Sequence, residues 1–155
     1  MTIQDRIKQH LEARAIPYKT LHHQATRTSE ESAAVRGESL AVGAKAIVMK
    51  VGGRFALFVI SAARRIDGRK IRAFLKVKKT RFATPDELME VTGLVPGSVP
   101  PIGRPILDMD LYVDVSVQAN DRVAFNAGSL TDSIIMAAED YFGLVDATIF
   151  DFARD

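Results

Sequence analysis

The sequence predicts an α/β fold of the mixed α+β kind: a single domain over residues 1–155, in which a mixed, mostly antiparallel sheet is flanked by helices. The 155 residues are enough for one domain with a hydrophobic core, and the hydrophobic fraction of 47% is typical of globular proteins. Short apolar runs and helical patterns follow one another in irregular order, and Gly52-Gly53 joins one pair of runs as in a hairpin. Such an order favours a mixed sheet over a doubly wound parallel one.

Helices are predicted where apolar residues recur at helical spacing or where capping residues mark an end. Isoleucine or leucine stands at every fourth position over 3–11, and Pro17 follows as a stop signal. Thr28-Ser-Glu-Glu31 and Thr84-Pro-Asp-Glu87 have the sequence of a capping box. In the segment 67–75 the apolar residues, Phe74 among them, are expected to face inward. The predicted helices are residues 3–14, 28–37, 67–75, 84–93 and 138–144.

Strands are predicted from short runs that are apolar and partly β-branched. The first is a short strand, and the next two form a buried hairpin across Gly52-Gly53. Three more runs fall in the second half of the chain. The predicted strands are residues 18–22, 46–49, 55–60, 111–117, 123–126 and 133–136.

The composition excludes several classes of site. The absence of cysteine rules out disulfides, thiolate catalysis and cysteine-based metal sites. His10, His22 and His23 lack the spacing of a metal-ligand pair, so neither a metal nor another cofactor is expected. No apolar run approaches the roughly 20 residues that span a bilayer, and the N-terminus has no apolar leader segment. A cytoplasmic protein with no membrane partner is therefore expected.

The net charge of +2 hides a strong asymmetry along the chain. Residues 64–81 carry a local charge of +8, whereas residues 82–155 carry −10. A dense basic stretch suits a phosphate backbone, because each neutralised phosphate releases counterions. A solvated basic helix face is an equally good interpretation from the residues alone. The basic residues are Arg64, Arg65, Arg69, Lys70, Arg72, Lys76, Lys78, Lys79 and Arg81.

The loop of residues 97–103, Gly-Ser-Val-Pro-Pro-Ile-Gly, is the most unusual segment. Its two glycines allow a close approach of other groups, and its two prolines remove backbone donors and stiffen the chain. Pro100 also pushes Val99 into an extended conformation. We expect a shaped wall on which only Ser98 carries a reactive side chain, although such clusters also occur in ordinary turns.

Two further segments can contribute to a site. Lys45 follows Gly43-Ala44 and begins an apolar strand, where a lysine either reaches water or ends in a pocket. Phe125-Asn-Ala-Gly-Ser129 follows another strand, and Gly128 can turn the chain so that backbone groups face a ligand. Either segment alone is also compatible with a purely structural role. No serine-hydrolase elbow, P-loop or dinucleotide fingerprint occurs.

Taken together, these segments carry a resemblance. With His23-Gln-Ala, Gly43-Ala-Lys45, the loop 97–103, Asn126-Ala-Gly-Ser129 and a later Glu139-Asp140-Tyr141, the chain resembles aminoacyl-tRNA deacylases of the YbaK/ProX type. These are related to the editing domain of bacterial prolyl-tRNA synthetases, and the likeness is greatest to the YeaK-like branch. It runs from about residue 18 to about residue 144. It implies a YbaK-like fold, a tRNA partner, an aminoacyl-tRNA synthetase as a possible further partner, and hydrolysis of mischarged aminoacyl-tRNA in trans.

The resemblance also implies roles for individual residues. Lys45 would be the active-site lysine at the ester or phosphate end of the substrate, and the backbone of Gly128 would position the ester and the attacking water. The implied substrate-binding residues are His23, Gly97, Ser98, Val99, Pro100, Pro101, Gly103, Asn126 and Ser129. His23 is equally compatible with a structural role. The YeaK-like acid falls where this chain has Thr131, so a turn role is favoured for Asp132 over that of a general base.

Three functions stay open at this point. The first is a trans-editing deacylase for a small amino acid, with serine or threonine ahead of alanine. The second is a non-catalytic RNA-binding or regulatory module that keeps the pocket and leaves the ester intact. The third is a hydrolase of small free esters or amides, for which the basic stretch 64–81 would be irrelevant.

Overall fold

The computed structural model describes all of residues 1–155, which form two β-sheets with helices packed around them. The helices are α1 (Ile3–Glu12), α2 (Ser29–Arg36), α3 (Gly68–Leu75), α4 (Pro85–Thr92), α5 (Val115–Gln118) and α6 (Ala138–Leu144). The strands are β1 (Lys19–His22), β2 (Ala44–Val51), β3 (Arg54–Ser61), β4 (Thr80–Phe82), β5 (Leu111–Asp114), β6 (Arg122–Asn126), β7 (Asp132–Ala137) and β8 (Ala147–Phe150). A 3₁₀ turn, Leu40–Val42, precedes β2.

The two sheets differ in size and in strand direction. The smaller has the order β1-β7-β6 and is antiparallel throughout. The larger has the order β4-β2-β3-β5-β8; β2 pairs antiparallel with β3 and β4, while β5 runs parallel to β3 and β8. The predicted mixed, mostly antiparallel architecture is therefore confirmed.

Alternating side chains of the larger sheet supply two separate hydrophobic cores. Leu57 and Val59 of β3 belong to the larger core, which the smaller sheet, α1 and α6 also fill. Phe58 and Ile60, which point the opposite way, pack with Ile71 of α3 in the smaller core. Burial on both faces explains why β3 reads as a continuous apolar run rather than an alternating one.

The junction of the two sheets determines where the site lies. Gly43 forms an isolated parallel bridge with Ala124 of β6, so the chain passes from the smaller sheet into β2 of the larger one. A Cβ atom at Gly43 would lie 3.1 Å from the Cβ of Ala62, so a side chain there would force the neighbouring segment to shift. Because the bridge is parallel, Ala44 and Lys45 run alongside the end of β6.

The predicted helix caps are confirmed in part. Thr84 and Glu87 form a complete capping box, and α4 ends at Gly93 with φ of +73°. At α2 the Thr28 side chain accepts from the Glu31 N–H, but its hydroxyl donates to the Glu31 carboxylate, so the reciprocal bond of a capping box is missing. Helix α1 ends at Glu12, two residues earlier than predicted.

Several other predictions of local structure were wrong. The strand predicted over 111–117 ends at Asp114, because this buried carboxylate accepts from the N–H of Ser116 and starts α5. Its other oxygen accepts from the N–H of Phe152 and fixes the C-terminal segment. Strands β4 and β8 were not predicted. Phe74 is half exposed and stacks on Phe150 at a ring distance of 3.9 Å instead of entering the core.

Candidate functional site

An open cavity of about 320 Å³ lies where the two sheets join. Residues 43–46 at the start of β2 form its floor together with Asn126 at the end of β6. One side is formed by residues 26–29 together with Ser32 and Arg36 of α2, and the other by Pro96, Gly97 and Val99. The cavity therefore brings together the three segments on which the sequence-based prediction depended.

The lining of the cavity is strongly cationic. Arg27, Arg36 and Lys45 line it, and no aspartate or glutamate does. Lys45 is partly buried and has no ion pair with any carboxylate of the protein. Three positive charges around one space favour an occupant that carries negative charge or a polarised carbonyl.

Arg36, the last residue of α2, is the most constrained of these cations. Its Nε donates to Ser133 Oγ at 3.0 Å and its Nη2 donates to Asn126 Oδ1 at 2.9 Å, so both partners are neutral. Burial lowers the pKa of Arg36 to about 10, because the charged form loses hydration and the nearby charge of Glu38 offsets only part of that loss.

Three further hydrogen bonds extend this arrangement on both sides. Asn126 Nδ2 donates to the carbonyl oxygen of Gly97 at 2.6 Å, which attaches the loop to β6. On the other side, His23 Nε2 lies 2.8 Å from Ser133 Oγ, and its Nδ1 lies 2.8 Å from the Gln24 carbonyl. A carbonyl only accepts, so Nδ1 carries a proton, and in the neutral ring Nε2 accepts from Ser133.

Only part of the loop 97–103 reaches the cavity. Gly97 and Val99 line it, whereas the Ser98 side chain is buried and donates to the Val95 carbonyl at 2.7 Å. Pro100, Pro101 and Gly103 are buried behind this wall and do not line the cavity. Their role is to hold the wall in place; the Pro101 carbonyl, for example, accepts from the buried Tyr141 hydroxyl at 2.6 Å.

The turn after β6 lies beside the cavity rather than in its lining. Gly128 has φ of +85°, and its N–H donates to the Ser98 carbonyl at 3.0 Å, so this donor is not available to a substrate. Ser129 Oγ donates to Asp132 Oδ2 at 2.6 Å. That bond and the contact with His22 lower the pKa of Asp132 to about 2, which makes this carboxylate a poor proton acceptor and fits the turn role.

Comparison with known proteins assigns the family. A family model for the aminoacyl-tRNA editing domain matches residues 23–144. The chain belongs to the aminoacyl-tRNA editing domain family. The resemblance seen in the sequence is thereby confirmed.

Individual relatives of this editing domain agree with the assignment. The chain is 30% identical over 142 residues to the multifunctional Ser/Thr-tRNA deacylase ProXp-y of Escherichia coli K12, covering 88% of this chain and 84% of that protein. It is 31% identical over 107 residues to the proline–tRNA ligase of Bacillus licheniformis, covering 69% of this chain and 18% of the ligase. A crystal structure described as a candidate trans-editing enzyme for prolyl tRNA synthetase superposes with a TM-score of 0.86 at 25% identity, covering 100% of this chain and 99% of that one.

The basic stretch 64–81 of the editing domain does not form one patch at the cavity. Arg64 and Arg65 follow Ala62, which lines the cavity at the start of β2. Lys78 and Lys79 precede β4 at the opposite end of β2, roughly 23 Å away at 3.3 Å per residue. Three of the nine cations form ion pairs with carboxylates of the protein: Arg69 with Asp67, Lys70 with Asp151 and Asp155, and Arg81 with Glu87.

Several residues of the cavity were missed in the sequence. Arg27 and Arg36 line it, and so do Thr26 and Ser32, whose hydroxyls bond each other at 2.8 Å. One signal was present: Ser29, Ser32 and Arg36 stand at i, i+3 and i+7 of the predicted helix and so share one face. The partners of Arg36 could not be predicted from the sequence, because Ser133 and Asn126 lie 97 and 90 positions further along the chain.

Proposed function

We propose that this editing domain hydrolyses, in trans, the ester bond that joins a small amino acid to mischarged tRNA, with serine and threonine ahead of alanine. The predicted enzyme class, an aminoacyl-tRNA deacylase, is confirmed by the family and by the Ser/Thr-tRNA deacylase relative. The observation that carries the proposal is the cavity in which Lys45, without a carboxylate partner, faces the loop 97–99. The partners are tRNA and, by relation to the proline–tRNA ligase, an aminoacyl-tRNA synthetase.

Lys45 is proposed to bind the substrate at its ester or phosphate end. Water adds to the ester carbonyl carbon, the carbonyl oxygen becomes negative, and the bond to the ribose oxygen then breaks, with that oxygen taking up a proton. An ammonium in a partly desolvated cavity stabilises such a negative oxygen more strongly than water does. Because aminoacyl esters are activated, positioning and polarisation can supply much of the rate without a carboxylate base.

Gly128 is proposed to act through its backbone. Its N–H supports the Ser98 carbonyl, so its own carbonyl oxygen is the group left to hold the attacking water. The residues on either side of this turn, Asn126 and Leu130, both line the cavity, which supports a role of the turn beside the bound substrate.

The hydroxyl pair of Thr26 and Ser32 supports a hydroxylated amino acid as the acyl group. Both residues line the cavity and are less than one-tenth exposed, and their hydroxyls bond each other at 2.8 Å. Two hydroxyls have two donors, and the bond between them uses only one. The other can bond the side-chain hydroxyl of a seryl or threonyl group, which alanine lacks.

Replacement of Thr26 tests this preference. Thr26→Val keeps the shape of the side chain and removes its hydroxyl, so kcat/KM for seryl-tRNA is expected to fall roughly 3- to 10-fold, as for loss of one hydrogen bond. Hydrolysis of alanyl-tRNA should stay unchanged. Ser29→Ala is the matched control, since Ser29 lines the cavity without a side-chain hydrogen bond. Equal losses on both substrates would contradict a hydroxyl-reading role.

Cleavage separates the proposal from its rivals. Seryl-tRNA is incubated with the wild-type chain, and both the bound tRNA and the intact ester are measured. A deacylase releases free serine with turnover, whereas a regulatory RNA-binding module retains tRNA and leaves the ester intact. A hydrolase of small esters would act as fast on a free seryl ester as on seryl-tRNA.

The basic stretch 64–81 is proposed to bind the tRNA backbone without taking part in the chemistry. Lys78→Glu with Lys79→Glu reverses two exposed charges without a carboxylate partner, so KM for tRNA is expected to rise roughly tenfold and its salt dependence to flatten. A short aminoacyl-adenosine should be hydrolysed as before. Lys8→Glu with Lys19→Glu makes the same charge change elsewhere and should have little effect. If KM for tRNA is unchanged in the variant with both Lys78→Glu and Lys79→Glu, this part of the stretch is a solvated surface that does not bind tRNA.

Two broader predictions complete the proposal. No helix of the protein is both long enough and apolar enough to cross a membrane. We propose the cytoplasm as the site of action, since the bacterial relatives act in translation on tRNA. We also propose that residues 1–155 function as one editing domain, in which α1 and β8 complete the cores on either side of the matched region.

A further inference from the structure

We infer that Arg36 is a positioning residue for ester hydrolysis, acting through Asn126 on the loop that walls the amino-acid pocket. The inference rests on the proposed function, because it concerns the same cavity and the same reaction. It assigns a role to a cation that lines the cavity yet directs two of its N–H groups at protein side chains.

The first step is the orientation of the Asn126 amide. An arginine has only donors, so the atom of Asn126 that faces Arg36 Nη2 at 2.9 Å must be the amide oxygen. The amide nitrogen is then directed at the Gly97 carbonyl, to which it donates at 2.6 Å. A rotated amide would bring two oxygens together at Gly97, so Arg36 selects the one orientation that holds the loop.

The second step is the fixation of Arg36 itself. Its Nε donates to Ser133 Oγ at 3.0 Å, and Ser133 is fully buried in β7. The same hydroxyl also lies 2.8 Å from His23 Nε2 and 3.4 Å from Asn126 Oδ1. The guanidinium is therefore held at two points of its planar group, one on β7 and one on β6, and it links α2 to both strands.

The third step concerns the loop. Gly97 is tied to β6 by the Asn126 amide, and Ser98 is tied to the same turn by the Gly128 N–H at 3.0 Å. Gly97 and Val99 are the loop residues that line the cavity. A shift of about 1 Å in such a wall misplaces the ester relative to Lys45, and misplacements of this size can cost about 100-fold in rate.

Kinetics of single and double variants test the inference. Arg36→Gln and Asn126→Ala are each expected to lower kcat for seryl-tRNA about 10- to 100-fold with little change in KM for tRNA, because neither residue is assigned to the phosphates. The double variant should be no slower than the slower single variant, since both changes break one path. A loss of kcat in the double variant equal to the product of the two single losses would instead indicate direct binding of the substrate by Arg36. So would an Arg36→Gln variant with a raised KM and a normal kcat.

An isosteric change at Asn126 sharpens the test. Asn126→Asp offers Arg36 a carboxylate partner but replaces the donor to Gly97 by an acceptor. It should therefore be as slow as Asn126→Ala, and near-wild-type activity would overturn the path through the loop. Arg122→Gln is the control, because Arg122 also links β6 to the segment after α2, through Glu38, but lies outside the cavity.

A structural measurement keeps this inference separate from the proposed function. Hydrogen exchange of the Gly128 N–H, which donates to Ser98, is expected to be at least tenfold faster in Arg36→Gln than in the wild type or Arg122→Gln. If the wild type fails to cleave seryl-tRNA, the proposed function is wrong, and the exchange rates still decide whether Arg36 holds the loop. Equal exchange in all three proteins would overturn the inference even if the enzyme is active.

Discussion

Lys45→Ala is expected to lower the rate of seryl-tRNA hydrolysis about 30- to 1,000-fold, which corresponds to a loss of about 2–4 kcal/mol of transition-state stabilisation. Lys45 and Arg27 are the two cations of the cavity that no side chain of the protein engages, and of these Lys45 is the partly buried one, so its charge is available to the substrate. The fold should stay intact, because removal of this side chain breaks no ion pair. Single-turnover hydrolysis with excess enzyme is the appropriate measurement.

Lys50→Ala is the matched control for this prediction. Lys50 lies on the same strand β2, five residues further on, where its ammonium lies 5.8 Å from the centre of the Phe55 ring and outside the cavity. Its removal should leave hydrolysis close to the wild-type rate. Near-wild-type turnover in Lys45→Ala, with a normal melting temperature, would remove Lys45 from the mechanism.

Gly128→Ala is expected to have the second largest effect, on both stability and activity. A left-handed φ of +85° costs a residue with a Cβ roughly 1–2 kcal/mol. The added Cβ would also lie 3.0 Å from Ile3 Cγ2 and 3.2 Å from Ile3 Cβ, so either α1 or the turn must move. Movement of the turn would loosen the Ser98 contact and slow hydrolysis beyond the loss of stability.

Gly93→Ala separates the two contributions to this effect. Gly93 has φ of +73° at the end of α4, and an added Cβ there meets no atom within 4 Å. It should therefore show the backbone cost alone, with normal hydrolysis at temperatures where the protein is folded. Thermal melts and kcat are compared for the two variants, and equal behaviour of both would rule out a special role for the turn at Gly128.

Local signals accounted for much of the fold. The Thr84 and Glu87 side chains cap α4 as predicted, because this interaction needs only residues three apart. Strand β8 was missed since only Phe150 of its four residues is buried and the strand pairs in parallel with β5, more than thirty residues earlier. Strand β4 is a basic, largely exposed edge strand of three residues, and its sequence has no apolar alternation.

The site residues were predictable where glycines or prolines stand beside them in the sequence. Lys45 follows a glycine that the sheet junction requires, and Gly97 and Val99 belong to a loop of glycines and prolines. Arg36 carries no such mark, and its role depends on strands from the other half of the chain. For Ser98 the unusual loop sequence was misleading. A role in substrate binding was predicted, but its hydroxyl is directed to a backbone carbonyl rather than to the cavity.

A deacylation screen over a panel of mischarged tRNAs tests the central claim most directly. Seryl-, threonyl- and alanyl-tRNA are incubated with the wild-type chain, and Lys45→Ala serves as the slow reference. Our account predicts rapid release of serine and threonine, slower release of alanine, and release of serine that is about 30- to 1,000-fold slower with Lys45→Ala. Intact ester on every tRNA, despite measurable tRNA binding, would contradict it.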